Sequence, residues 1–312
     1  MQCSNPAPSR SSSRTIFRKI ALASALSLAS AASWCAPDSV SLPGDRAFPE
    51  SVTSTRDGTL FAGSLATGGI VRVRRGAAPE VWIKPGAFGT ASIFGVLADE
   101  HSNTLWACSG EGKVSVAFAG DKNLCNDIAI GADGSAYVTN TASPQILKLA
   151  PGSNKMEIWF ADPSLQPATG AGLDGLAFGN DGNLYVDRYT PADLYRIEVK
   201  NGKAGALTPI HPSRALVLTG ANRPLGGNSF LIIEGGGRLD VMKITNDSAS
   251  FETLKDGLAV PTGVTRVGST AWVSEGQLNL FFDPANKDKN LRFPSTCLRP
   301  PFLGKTTSED FT

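Results

Sequence analysis

Short apolar strands alternate with polar turns along most of this chain, and one strand–turn–strand pattern returns several times. Four copies are clear: PESVTSTRDGTLFAGS from Pro49, FGVLADEHSNTLWACS from Phe94, CNDIAIGADGSAYVTN from Cys125 and LDGLAFGNDGNLYVDR from Leu173. Weaker copies begin at Ala221 and Pro261. β-Branched and aromatic residues fall between polar ones, with no helical spacing sustained over about ten residues, which predicts strands.

The copies recur roughly every 40–45 residues, which is the period of a four-stranded propeller blade. Six copies therefore predict an all-β fold, a six-bladed β-propeller. A β-sandwich is the alternative for such strands, but its turns come about every 8–12 residues without this longer period.

Three copies carry an Asp-Gly pair at the turn, at Asp57, Asp133 and Asp181. This pair is preferred in tight hairpins, and we expect both central residues to adopt positive φ. Further strands are predicted toward the outside of three blades: Gly69–Arg74, Glu80–Ile83, Gln145–Ala150, Met156–Phe160 and Asp193–Val199.

Two blades depart from the regular pattern. After Gly112–Phe118 the chain reaches Cys125 with little room for a fourth strand, so we predict a three-stranded blade 2. In blade 6, Asp38–Leu42 is expected to be the outermost strand, beside Val264–Val267 and Ala271–Ser274. Such pairing would close the ring and remove an exposed sheet edge.

A leader precedes the repeats. Four basic residues lie ahead of an apolar run from Ile20 to Trp34 that ends in small residues: Arg10, Arg14, Arg18 and Lys19. This is the order of a secretory signal peptide. The alternative is a membrane anchor, but the run is short for a hydrocarbon core of about 30 Å. We predict a signal peptide at 1–36, a propeller domain at 37–312 and a periplasmic or secreted protein, with no membrane attachment after cleavage.

Charge argues against a nucleic-acid partner. The leader holds four of the 29 basic residues and none of the 28 acidic ones, so its removal leaves a formal net charge of −3. The remaining basic residues are scattered rather than clustered. We expect a monomer with a small-molecule substrate.

The cysteines leave two possibilities open. Cys108 ends the second strand of blade 2 and Cys125 opens blade 3, so in an oxidising compartment the two could pair. Equally, both could be small buried hydrophobic residues. A bond between Cys35 and Cys297 would require Cys35 to survive processing.

Nucleophilic catalysis by a Ser-His-Asp triad is poorly supported. The chain has two histidines, and it lacks the GxSxG, HExxH and GxxxxGK[ST] motifs. His101 falls in the blade 2 turn and His211 in a loop before a proline. Carboxylates with a metal ion are the more plausible machinery for a hydrolase.

Oxygen-bearing residues occupy one matched position in three blades. Counting seven residues back from the turn aspartates gives Glu50, Asn126 and Asp174. First strands line the channel of a propeller, so these side chains should meet at one mouth. Carboxylate and amide oxygens suit a hard cation such as Ca²⁺. The alternative is that each residue caps a strand end or a turn.

The ends of the second strands should supply the rest of the pocket at this mouth. We expect Asp187, Arg188, Glu234 and Glu275 there. Asp187 lies outside the metal triplet, and Asn222 reaches the mouth only after a shift in register. Arg188 could orient an anionic or hydroxylated ligand, or instead form a salt bridge to Asp187 or Glu234. Blade 2 breaks the pattern by placing Gly95 at the matched position.

Three segments carry a resemblance to a known family: FPESVTSTRDGTLFAGS, CNDIAIGADGSAYVTN and GLDGLAFGNDGNLYV. With weaker support from RPLGGNSFLIIEGGGRLD, the chain over about residues 45–283 resembles the SMP-30/gluconolactonase/LRE-like propellers. The resemblance implies a divalent metal, usually calcium, held by Glu50, Asn126 and Asp174. The blade 2 asparagine that many lactonases contribute is absent, with Phe94-Gly95 in its place.

The predicted function is an exported, metal-dependent hydrolase of the lactonase type. The metal would polarise the lactone carbonyl and activate water, with Asp174 as general base. The alternative is a non-catalytic propeller that binds a ligand or partner, because the fold serves both roles. Gly95 and the short blade 2 favour the alternative.

Overall fold

The structure is a computed structural model that describes residues 39–110, 123–291 and 294–298. Its strands form the blades of a six-bladed propeller, so the predicted all-β fold is confirmed. The predicted signal peptide lies outside the described residues. No helix in the described ranges is long and apolar enough to span a bilayer.

The first three blades follow the chain in order. The N-terminal strand β1 (Ser39–Ser41) belongs to the last blade. Blade 1 consists of β2 (Pro49–Ser54), β3 (Leu60–Ser64), β4 (Ile70–Val73) and β5 (Glu80–Ile83). Blade 2 contributes β6 (Ile93–Asp99) and β7 (Thr104–Ser109), and blade 3 consists of β8 (Cys125–Ile130), β9 (Ala136–Asn140), β10 (Gln145–Leu149) and β11 (Glu157–Ala161).

The remaining blades complete the ring. Blade 4 consists of β12 (Leu173–Phe178), β13 (Leu184–Arg188), β14 (Asp193–Lys200) and β15 (Lys203–Pro212). Blade 5 consists of β16 (Thr219–Gly226), β17 (Ser229–Glu234), β18 (Arg238–Thr245) and β19 (Ser248–Lys255). Blade 6 combines β20 (Pro261–Val267), β21 (Thr270–Glu275) and β22 (Pro294–Leu298) with β1. Short helical segments are α1 (Leu278–Phe281) and the 3₁₀ turns Ala87–Gly89, Pro163–Leu165 and Pro284–Asn286.

Ring closure occurs where it was predicted. Strand β1 pairs antiparallel with β22, with Val40 opposite Ser295, and β22 pairs with β21. The first and last strands of the described chain therefore share one sheet, and the predicted outer strand is confirmed. The predicted third strand of blade 2, Gly112–Phe118, lies outside the described residues.

Blades 4 and 5 are joined at their outer edges. A short parallel ladder pairs His211 with Ser248 and Pro212 with Ala249, so the two blades form one eight-stranded sheet. The ladder pairs the end of one outer strand with the start of the other, where the two edges would otherwise face solvent.

The hydrophobic core lies between neighbouring blades. Between blades 3 and 4, Tyr137 contacts Trp159 and Phe178 edge-on, with ring centroids 5.0 and 5.1 Å apart. Leu176 and Leu184 from blade 4 are fully buried in the same cluster. Burial of large apolar side chains at each junction holds the inner strands in place around the channel.

The Asp-Gly turns are three-residue loops, and the expectation of positive φ at both central residues is wrong. Only the glycine is left-handed, as at Gly58 with φ of 88°. The Gly58 N–H donates to the Thr55 carbonyl, and the Thr55 N–H donates to the Thr59 carbonyl. This is a type I turn followed by a left-handed glycine, a common hairpin loop. The Asp57 carboxylate accepts the Thr59 N–H and both threonine hydroxyls, which fixes the turn.

Candidate functional site

Each first strand opens with an irregularity that frees a residue from the ladder. In blade 1 the register shifts between Pro49 and Ser51, and in blade 3 between Cys125 and Ile128. Blade 4 shifts between Leu173 and Leu176. The skipped residues at one equivalent position are Glu50, Asn126 and Asp174. Side chains at these bulges are free to face the channel instead of the neighbouring blade.

The three matched residues share one buried environment. Glu50, Asn126 and Asp174 are 6%, 5% and 8% exposed. Burial, together with the charge of Asp127, raises the pKa of Asp174 to about 8, against the lowering effects of a hydrogen bond from Asn126 and of Arg223. Burial and the charge of Asp174 likewise raise the pKa of Glu50 well above its ordinary value. The structure therefore brings the triplet together, and its role as a metal site stays a prediction.

Asp127, next to Asn126, is bound to an arginine from across the channel. Its Oδ2 accepts from Arg223 Nη1 at 2.6 Å and its Oδ1 from Nη2 at 2.9 Å. The two residues are 96 positions apart in sequence, in blades 3 and 5. Sequence reasoning missed both, because nothing local marks Arg223 as facing the channel.

Asp187, which the sequence analysis placed at the mouth but outside the metal triplet, belongs to the same charged group. Its Oδ1 accepts the N–H of Gly175 at 3.1 Å, and its Oδ2 accepts from Asn222 Nδ2 at 2.9 Å. Burial and then the charge of Asp174 raise the pKa of Asp187. Thr139 makes the corresponding contact in blade 3, where its hydroxyl accepts the N–H of Asp127. Asp187 thus caps a bulge and also adds negative charge to the channel.

Three of the predicted pocket residues are held by other contacts. Arg188 forms an ion pair with Asp193 and donates to the Ser164 carbonyl, instead of pairing with Asp187 or Glu234. Glu234 pairs with Arg214 and accepts the Val217 N–H at 2.7 Å. Glu275 accepts the Ala259 N–H at 2.9 Å. These contacts anchor neighbouring loops at the ends of the second strands, whereas Asn222 lies in the channel beside Asp187.

Tyr189 lies near the mouth carboxylates. Burial raises its pKa to about 12, with the charges of Asp174 and Glu50 acting in the same direction. It directly follows β13, and its N–H donates to the Gly172 carbonyl. The phenol therefore lies within electrostatic reach of both carboxylates.

In blade 2 the matched position holds Phe94, not Gly95. The ladder pairs Ile93 with Ser109 just as Cys125 pairs with Asn140, so the next residue is the equivalent one. Phe94 packs against apolar clusters on both sides. Gly95 instead permits a close approach of blades, because a Cβ there would lie 2.0 Å from the Asn126 carbonyl oxygen.

Cys108 and Cys125 form a disulfide, which settles the two possibilities for this pair. The bond joins the end of β7 to the start of β8, on the mouth side of blades 2 and 3. A bond between Cys35 and Cys297 would involve side chains outside those described.

The donor set at the mouth fits a hard cation. Four buried carboxylates face a single buried guanidinium: Glu50, Asp127, Asp174 and Asp187 against Arg223. Asn222 Oδ1 is buried without a hydrogen-bond partner. Among the described residues, no three His, Cys, Asp or Glu side chains are gathered as ready-made metal ligands. Any site here would therefore combine two carboxylates with amide oxygens, a set that Ca²⁺ accepts.

Neither histidine can take part in chemistry at this mouth. His101 is exposed in the turn that follows β6, and His211 is exposed on the outer strand β15. Any acid–base chemistry at the mouth therefore falls to the carboxylates and Tyr189.

Comparison with known proteins shows the fold. No protein-family model matches the sequence, and no curated protein matches it either. A gluconolactonase from Xanthomonas campestris superposes with a TM-score of 0.61 at 15% identity, over 81% of this chain and 88% of that one. Virginiamycin B lyase from Staphylococcus aureus gives 0.58 at 17% identity, over 82% of each chain. A PQQ-bound aldose sugar dehydrogenase from Streptomyces coelicolor gives 0.53 at 13%, over 84% and 100%. At these identities the likeness is one of propeller architecture.

Proposed function

We propose that this protein is a hydrolase of the lactonase type that acts at the channel mouth. The observation that carries the proposal is the group of buried, undercompensated carboxylates around Asp174, whose pKa of about 8 lies near the working range of a general acid or base. Gluconolactonases among the structurally similar proteins support the choice of substrate class. The leader further supports an exported protein.

Glu50, Asn126 and Asp174 would hold a divalent cation, which we take to be Ca²⁺. Such an ion polarises a carbonyl and lowers the pKa of bound water. Ionised Asp174 would take the proton from the attacking water. Tyr189 would donate a hydrogen bond to the substrate, and Asn222 would offer its unpartnered oxygen to a substrate hydroxyl.

A lyase of the virginiamycin B type is a weaker candidate. The similar Staphylococcus aureus lyase is catalytically inactive in a form that carries alanine in place of one histidine. In this chain both histidines lie away from the mouth and are exposed.

A non-catalytic binding propeller is the second candidate. Phe94 puts an apolar ring where blade 2 would otherwise supply an oxygen ligand. Arg188, Glu234 and Glu275 are held by other contacts. A pocket with these features could hold a ligand without turning it over.

Two measurements separate the lactonase from the binding propeller. The first is metal analysis of the mature protein, and the second is an assay of sugar and aliphatic lactones with and without chelator. We expect bound calcium and chelator-sensitive hydrolysis of at least one lactone. Hydrolysis that persists unchanged in the Asp174→Asn protein would remove this carboxylate from the mechanism. Absence of hydrolysis across the panel would favour the binding role.

A further inference from the structure

The Arg223–Asp127 ion pair occupies the channel directly beside the mouth carboxylates. Arg223 is 9% exposed and Asp127 3%, and the pair spans from blade 5 to blade 3 past blade 4. The guanidinium also donates to the Asn222 carbonyl at 2.7 Å. Both Glu50 and Asp174 respond electrostatically to both members of the pair.

The pair leaves Asp127 with little capacity for another cation. Its Oδ1 accepts from Arg223 and from the Ile128 N–H at 2.9 Å, while its Oδ2 accepts from Arg223 at 2.6 Å. A guanidinium fork matches a carboxylate in this two-point geometry, and lysine does not reproduce it. Asp127 adjoins Asn126, so without Arg223 it would be a third carboxylate at the mouth.

We propose that Arg223 is a positioning residue that holds Asp127 away from a bound divalent cation and so keeps the affinity of the mouth for Ca²⁺ low. This inference rests on the proposed metal-dependent function. The positive guanidinium also repels the ion across a buried, weakly screened region. A weakly held ion with only two carboxylate ligands retains coordination positions for substrate oxygens.

The test is calorimetric titration of CaCl₂ into the mature protein and three variants at low ionic strength. Arg223→Met frees Asp127 and removes the repelling charge, so we expect at least about tenfold tighter Ca²⁺ binding. Asp127→Asn leaves the arginine charge unpaired, so we expect at least about tenfold weaker binding. The double variant removes both charges and should return to within about threefold of the parent.

Asp133→Asn is the matched control. Asp133 lies in the same blade at the exposed turn, where it pairs with Lys148, and its replacement should leave Ca²⁺ affinity unchanged. A purely structural role of the Arg223 pair would weaken binding in both single variants and would not be reversed in the double variant. If Arg223→Met does not fold, Asp127→Asn and the double variant decide together: weaker binding in Asp127→Asn that the double variant reverses supports the inference, and any other outcome overturns it.

The outcomes separate this inference from the proposed function. If the parent binds Ca²⁺ but Arg223→Met and Asp127→Asn do not change its affinity in opposite directions, the inference is overturned and the proposed function is not. Binding by Arg223→Met but not by the parent upholds the inference and removes the metal-dependent function. No binding by the parent or by Arg223→Met overturns both.

Discussion

Two ends of the same strand hold acidic residues in opposite electrostatic states. In blade 1, hydrogen bonds from Thr55 and Thr59 lower the pKa of Asp57 at the exposed turn, whereas burial raises that of Glu50 seven residues earlier. In blade 4, Tyr185 and Asn183 lower the pKa of Asp181 despite its partial burial, whereas that of Asp174 rises to about 8. The turn aspartates stabilise hairpins as ions, while the mouth carboxylates are costly as ions unless a cation joins them.

This contrast is the reason that we propose the mouth, and not the turn end, as the functional end. A buried charge without a full complement of partners is expensive, and it persists in a stable fold where it serves binding or chemistry. The turn end shows no such excess among the described residues, because each Asp-Gly aspartate accepts hydrogen bonds from its own loop.

The sharpest way to break the comparison is to neutralise one acid at each end of blade 4. Asp174→Asn keeps the shape but removes the proposed base, so lactone turnover should fall about 10²–10⁴-fold. Asp181→Asn should leave turnover within about twofold while lowering thermal stability, because the turn loses a charged acceptor. Steady-state rates and melting curves of both variants test this. Equal losses of turnover would show that the two ends do not differ in function.

Asp187→Asn sharpens the comparison within the mouth itself. From the sequence alone this substitution should have little effect on the site, because Asp187 lies outside the metal triplet. The structure, however, places Asp187 in the charged group and at the bulge of Gly175. We therefore expect a clear loss of Ca²⁺ affinity, measured by calorimetry. If Asp187→Asn binds Ca²⁺ as tightly as the parent, Asp187 only caps the bulge and does not contribute to cation binding.

The disulfide tests how firmly the mouth is held. Replacing Cys108 and Cys125 together with alanine opens a loop that spans 17 positions, so we expect stability to fall by about 3 kcal/mol. Chemical denaturation of the mature protein measures this. Because the bond joins blades 2 and 3 on the mouth side, Ca²⁺ affinity should fall as well. Unchanged affinity would mean that this bond does not position Asn126.

A change of pH should affect the stability contributed by the mouth acids and by the turn acids in opposite directions. Raised folded-state pKa values mean that Glu50, Asp174 and Asp187 bind more protons folded than unfolded, so metal-free stability falls as pH rises from about 4 through about 8. The turn acids have lowered pKa values, so their contribution is lost below about pH 4. Melting temperatures with chelator should therefore decline toward alkaline pH. A flat profile over this range would contradict the shifts at the mouth.

The smallest effect is expected at a turn glycine. Gly182 has φ of 77° and a Cβ there would meet nothing within 4 Å, so Gly182→Ala introduces backbone strain alone. We expect a loss of about 1 kcal/mol in unfolding free energy and unchanged turnover. A loss of turnover would couple the turn end to the chemistry.

The sequence predicted what its repeats encode. Counting back from the turn aspartates located Glu50, Asn126 and Asp174, because the bulges keep this spacing in three blades. The Arg223–Asp127 pair was out of reach, since contacts between distant blades leave no local pattern. Arg188 was assigned to the pocket because it ends a second strand at the mouth. The strand pattern did not show that its side chain pairs with Asp193, which lies opposite it on the next strand of the same blade.

The most direct test of the central claim, that undercompensated mouth carboxylates form a cation site, is proton release on Ca²⁺ binding. Calorimetry at pH 7 in two buffers of different ionisation enthalpy measures it. With a pKa of about 8, Asp174 is mostly protonated in the free protein, so binding should release close to one proton or more. In Asp174→Asn the release should shrink. Calcium binding without proton release, or release that is unchanged in Asp174→Asn, would contradict the account.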